Sequence, residues 1–475
     1  MKKFLAVAFL LIAVSAAPAQ SGRNPDDGAV PAASGDLSGK SVHDLYTEAV
    51  NYALNQFTEL EQKNAPYSEA VHRQVLQEQK QLAAKYAAEA TSRPDITGTD
   101  LYYLGRLHWL ATNSIDAAEA FGKFLALPDG DNDALKQTAR SVVVVMAAET
   151  NDFGKAEKTL SDYYAGKPIR LSELASMEKQ IAYSYRLEGR FEDAAPHANK
   201  AFEATTSLLS EEASRAKALS QFLDSGVTAF EIEREIGNRE KAESILATMK
   251  KYGATVQSHS VYFRAIDEQI KYLIETGQKA SALAYYNNTL VSVQKDFPDI
   301  SLRIQIENNL KRKKKHYEIL GEKAPELRDV AHWLPAKPTP LSGLAGKVVL
   351  LDFWATWCGP CFEAFPDLAK WHNVLGKEGL VILGVTRYYG QGEDGNQVSE
   401  AEEVAFLKRF KVKEGLPYGI AVADGQANQL LYGAMSIPTT VIIDRKGVVR
   451  YVETGAGTLR KREIKEMIDR LLAEE

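Results

Sequence analysis

The chemistry open to this chain runs through Trp357-Cys358-Gly359-Pro360-Cys361, which holds the only two cysteines in 475 residues. Two thiols at this spacing suit thiol–disulfide exchange, in which the thiolate attacks. The residues before the pair, 347–354, are apolar except for Lys347 and Asp352 and read as a buried strand, while 362–375 has helical apolar spacing. The pair is therefore expected at a strand-to-helix junction, with Cys358 exposed at the helix N-terminus as the nucleophile. There, unpaired N–H groups and the helix dipole favour a thiolate. Cys361, one turn deeper, is the resolving thiol. Pro360 lacks an N–H to leave unpaired, which suits the start of a helix. Structural zinc and an inert disulfide are the alternatives. Zinc normally takes four ligands, and the eight histidines show no H-x-x-x-H spacing that would complete a site. Neither a metal nor a cofactor is expected.

Residues 352–361, with an acidic side chain six positions before the first cysteine, resemble the active-site segment of thioredoxins. Pro366 and Ile437-Pro438-Thr439 extend the match. The runs 347–358 and 438–447 are closer still to the extracytoplasmic TlpA/ResA-like branch, and the resemblance spans about 321–475. It implies a thioredoxin-like α/β domain with a redox-active disulfide between Cys358 and Cys361. It also implies a cis bond at Pro438, and client binding by Trp357, Gly359, Pro360, Ile437, Pro438 and Thr439, with loop backbone offered like an added strand. Asp352 then takes or returns the proton of Cys361, its pKa raised by burial. That branch usually has a glutamate three residues after the second cysteine; here Ala364 stands there and Glu363 lies one place earlier. No proton-handling role is assigned to Glu363.

The rest of the chain must position this centre. Residues 1–19 carry a basic start, an apolar run over 4–14 and Ala17-Pro18-Ala19, the layout of a cleaved secretory signal. Its apolar run is about half of the ~20 residues that span a bilayer, so no transmembrane helix is expected after cleavage. Residues 20–40 read as a disordered lead-in. Over 41–316 the pattern is helical, and five breaks each lead into an alanine: Ala118, Ala156, Ala194, Ala242 and Ala282. The spacings of 38, 38, 48 and 40 resemble divergent tetratricopeptide repeats. An irregular helical bundle is the alternative. Stacked helix pairs would offer a concave partner-binding surface. The basic run 311–315 reads as a solvated helix C-terminus. Glycine and proline mark a linker over 317–340, and 321–475 alternates strand and helix. The fold class is therefore an all-α repeat region followed by an α/β thioredoxin-like domain.

Net charge is −6, with 45% apolar and 25% charged residues, the balance of a globular protein with no nucleic-acid signature. The functional expectation is an exported, periplasmic or otherwise extracytoplasmic thiol–disulfide oxidoreductase, most simply a reductase of protein disulfides. Its partners are thiol or disulfide client proteins and a membrane electron donor of thiol–disulfide type. Two other classes compete. A peroxiredoxin-type peroxidase would by resemblance need a threonine or serine at Ala355 and a proline at Leu351. A non-enzymatic scaffold would have little use for intact Cys358, Cys361, Ile437 and Pro438.

Overall fold

The computed structural model describes residues 37, 39–63, 68–128, 133–335 and 337–474. The expected signal and nearly all of the lead-in lie outside the described residues. Two compact units divide the chain, 1–245 and 246–475.

The first unit holds α1 (Val42–Gln62), α2 (Glu69–Thr91), α3 (Thr99–Leu110), α4 (Ser114–Leu125), α5 (Asp133–Glu149), α6 (Phe153–Ala165), α7 (Leu171–Leu187), α8 (Phe191–Ser210) and α9 (Arg215–Glu235). The unit boundary falls within α10 (Arg239–Thr255). One junction recurs here and once more in the second unit. A left-handed residue ends the first helix: Thr112, Asn151, Gly189, Gly237 or Gly277, with φ of 61°, 58°, 71°, 74° and 76°. The next N–H then reaches back to the carbonyls of His108, Ala147, Tyr185, Glu233 and Leu273, at 2.7–2.9 Å. Five residues past each left-handed residue comes a fully buried alanine: Ala117, Ala156, Ala194, Ala242 or Ala282. The first of these corrects the expectation of Ala118, which is only half-buried. A further junction, Gln257 (φ 53°), follows α10. There Tyr262 takes the alanine's place, and Gly253 on the facing helix supplies the room, since a Cβ on it would sit 2.7 Å from the Tyr262 nitrogen.

The second unit begins with α11 (His259–Glu275), α12 (Lys279–Asp296) and α13 (Ile300–Ile319). It continues through β1 (Val330–Leu334), β2 (Val348–Phe353), α14 (Gly359–Phe362), α15 (Phe365–Leu375), β3 (Leu380–Arg387) and α16 (Glu400–Lys413). It ends with β4 (Gly419–Ala423), α17 (Ala427–Tyr432), β5 (Thr439–Ile443), β6 (Val449–Thr454) and α18 (Thr458–Ala473). The sheet order is β1-β4-β3-β2-β5-β6. β2, β3 and β4 run parallel, and β1, β5 and β6 pair antiparallel to their neighbours. Strand alternation gives the sheet two apolar faces. Val348, Leu350, Ile382, Ile420 and Ile442 pack in one core with the cysteine pair and α15, α16 and α18. Val349, Leu351, Phe353, Leu383, Val385, Val441 and Ile443 share the other core with α11, α12, α13 and Tyr432 of α17.

Helices α11–α13 thus go with the sheet, and the boundary expected at 317–321 falls inside a single compact unit. Polar contacts join them to it. His316 Nε2 lies 3.0 Å from the Gly433 carbonyl, and the Gly321 N–H donates to the Val449 carbonyl at 2.9 Å. Buried Glu453 of β6 pairs with Lys271 of α11, Lys313 of α13 and Arg460 of α18. Lys271 also pairs with buried Asp267 at 2.6 Å, which accepts from Tyr317 Oη at 2.8 Å. Lys313 therefore corrects the reading of 311–315 as a wholly solvated helix end, because a buried acid on a strand draws one member of the run inward. β1 also goes beyond the expected linker: Leu334 is buried and the strand pairs with β4.

Candidate active site

Cys358 caps the start of α14, and its carbonyl accepts from the Cys361 N–H at 3.0 Å. Their sulfur atoms are joined in a disulfide. The expectation of an exposed Cys358 is corrected: it is 3% exposed and Cys361 1%. The side chain offered to solvent is Trp357, at 55%. Cys358 is distinguished by its place at the cap, Cys361 by its place within the turn. The helix expected over 362–375 is interrupted at Glu363–Ala364, and Pro366 stands in the first turn of α15, where its missing N–H costs nothing.

Asp352 lies in β2 between Gly384 of β3 and Thr440 of β5. Alternation places it with Leu350 on the cysteine face. The carboxyl is 1% exposed, and Oδ2 has no hydrogen-bond partner. Burial alone pushes its pKa up to about 7. Glu363 points to solvent and Ala364 packs on the core, so no second acid enters this layer from α14.

Two loops pack against the core that holds the pair. The Ile437–Pro438 peptide is cis, the Pro438 carbonyl accepts from the Gly455 N–H at 2.8 Å, and Pro438 is buried. The buried Thr439 hydroxyl bonds the Ser436 carbonyl at 2.6 Å and lies 2.8 Å from Thr454 Oγ1. Its side chain therefore braces this loop from within. Gly359 and Pro360 are exposed, and Ile437 is half-buried against both cores. On the other side, the Tyr389 ring meets Trp357 edge-on at 5.3 Å with the Arg387 guanidinium 4.2 Å from the Tyr389 centroid. Buried Glu403 of α16 fixes that loop by accepting the N–H groups of Tyr389 and Gly390, both at 2.9 Å. Sequence reading missed Arg387, Tyr389 and Glu403 as site residues. The tyrosines in the glycine-rich loop were a usable signal; a single glutamate in an acidic first helical turn was not.

A cysteine pair that closes into a disulfide can exchange disulfides. Comparison with known proteins agrees. The Redoxin family model matches residues 319–468. The protein DipZ of Mycobacterium bovis is 32% identical over 139 residues, 28% of this chain and 19% of DipZ. The chain thus spans about a fifth of that relative's length. The thiol-disulfide oxidoreductase ResA of Geobacillus thermodenitrificans is 32% identical over 152 residues, 32% of this chain and 76% of ResA. The thioredoxin-like protein YneN of Bacillus subtilis is 32% identical over 149 residues, 31% of this chain and 78% of YneN. With most of ResA and YneN matched at that identity around the cysteine pair, the chain belongs, through its C-terminal third, to the thioredoxin-like thiol–disulfide oxidoreductases.

Proposed function

We propose that the protein is an exported reductase of protein disulfides, with Cys358 attacking, Cys361 resolving and Asp352 taking the proton of Cys361. The observation that carries this reading is the Cys358–Cys361 disulfide at the start of α14, in the core that covers the sheet face of buried Asp352 and that Ile437 of the cis Pro438 loop packs against. A client disulfide approaches past Trp357, Gly359 and Pro360 and lies along the backbone of Ile437 and Pro438, with Thr439 keeping that loop in shape. The Cys358 thiolate forms a mixed disulfide with one client sulfur and releases the other as a thiolate. Cys361 then closes the internal disulfide and frees the second client thiol. The paired helices of 41–245, with no cysteine of their own, select or position clients. A thiol–disulfide electron donor at the membrane restores the dithiol. Among the described residues no helix is long and apolar enough to cross a membrane.

The test is covalent trapping. Cys361→Ser, expressed in cells, should accumulate mixed disulfides through Cys358, while Cys358→Ser should trap none and lose disulfide reduction. Trapping by Cys358→Ser as efficient as by Cys361→Ser would reverse the two roles.

A further inference from the structure

Among the described residues, the buried polar atoms on the cysteine face that lack a hydrogen-bond partner include Asp352 Oδ2, Trp354 Nε1 and the Tyr418 hydroxyl, each on a fully buried side chain. The first two border one glycine. Gly384 pairs directly with Asp352, and a Cβ built on it would lie 2.7 Å from Trp354 Nε1. The missing side chain at 384 therefore makes room for the indole N–H beside Asp352. Tyr418 enters from the β4 side, one residue before Gly419, and lies near enough to Asp352 that, after burial, the carboxylate's charge is a further cause raising its pKa. Orphaned donors and acceptors of this kind are costly in a dry core and cheap around an internal water.

We propose that Tyr418 is a positioning residue for Asp352: its O–H and the Trp354 N–H hold a buried water between them that donates a hydrogen bond to the Asp352 carboxylate. This deepens the reductase reading and rests on it. As Cys361 attacks the mixed disulfide, its S–H proton passes to Asp352. The Cys361–Cys358 bond forms, the Cys358–client bond breaks, and the client leaves as a thiolate that takes a proton from solvent. Reduction by the electron donor later returns the Asp352 proton to Cys361. A donor to the ionised carboxylate keeps Asp352 able to accept at neutral pH, against the burial that opposes its charge. Groups facing the pair from the packed elements agree with this division. Gly384 and Thr440 flank Asp352 without charge, and the α18 side chains in this core, Ile464, Ile468 and Leu471, are apolar. The His372 ring of α15 lies 6.2 Å from the Tyr418 ring, and the Lys411 ammonium of α16 bonds the carbonyls of Leu416 and Tyr418. His372 Nδ1 is also unpartnered, but of the two rings only the Tyr418 phenol has the Asp352 carboxylate among the causes that shift its pKa.

The experiment titrates Asp352 in the oxidised protein by carbonyl-13C aspartate NMR, its signal identified by loss in Asp352→Asn. Tyr418→Phe should move the Asp352 midpoint upward by about one pH unit, a tenfold change in proton affinity. Gly384→Ala, whose Cβ would displace the Trp354 N–H without touching the phenol, should move it the same way and serves alone should Tyr418→Phe fold poorly. The pH of half-maximal disulfide reduction should rise in step, with several-fold lower turnover at pH 7 that recovers by pH 9. An unmoved midpoint in a folded variant overturns the proposal, whatever happens to thermal stability. The NMR arm needs no activity, so it decides even if the cysteine variants refute the reductase reading.

Discussion

Burial raises the folded-state pKa of Asp352 from an ordinary value of about 3.9 to about 7, which fixes how stability must change with pH. Between those two values the folded protein holds a proton that the unfolded chain has lost. Stability therefore falls as pH rises through the window, by on the order of 4 kcal/mol at the limit. Asp352→Asn removes the slope. The variant is expected to match the parent near pH 4 and to exceed it above pH 7 in denaturant midpoint, while its turnover drops. Equal pH dependence in the two proteins would show that the carboxyl is not the source. Asp352 was legible in the sequence because an acid inside an apolar strand is conspicuous beside a cysteine pair. Tyr418 and Gly384 were not: their part follows from strand pairing across β2, β3 and β4, which no local spacing encodes. The Ala117 correction has the same origin, since two adjacent alanines differ only in which one the neighbouring helix meets.

Among elements, α11–α13 have the largest consequence. The sheet face made by Val349, Leu351, Phe353, Val385, Val441 and Ile443 is fully covered, and Ile266, Ile270, Leu310 and Tyr317 belong to the same core. Removing these helices would expose that face, where each large aliphatic side chain is worth about 1.5–3 kcal/mol of burial. It would also strip Lys271 and Lys313 from Glu453, and breaking a buried pair costs about 3–5 kcal/mol. The motif match alone favours cutting at 321, because the helices read as one continuous array up to 316. Their sequence periodicity reports an apolar face, but not which surface covers it. A fragment of 321–475 is accordingly expected to be aggregation-prone or partly unfolded, whereas 246–475 should give a cooperative unfolding transition and keep disulfide reductase activity. A soluble 321–475 fragment with the same unfolding midpoint as 246–475 would show that the three helices are dispensable.

At the scale of the whole molecule, the chain has one cysteine pair and no third cysteine to recharge it, so a reductase cycle must draw two electrons from outside. The recurring helix junctions were legible in the first unit because left-handed glycines and asparagine punctuate them, but nothing in that region offers redox chemistry of its own. The direction of exchange is therefore set at the active site, and the dipeptide Gly359-Pro360 is the thioredoxin pair. Thioredoxin lies near −270 mV, against about −120 mV for a dedicated oxidant whose reduced form is over-stabilised. Asp352 pulls the same way, because a buried acid that holds its proton until neutral pH adds no positive charge to stabilise a Cys361 thiolate. A potential of roughly −220 to −290 mV is expected for the full chain equilibrated with glutathione buffers and quenched by alkylation. A value above about −180 mV would make the protein an oxidant or isomerase, with electrons flowing from clients to the pair and no need for a reducing donor.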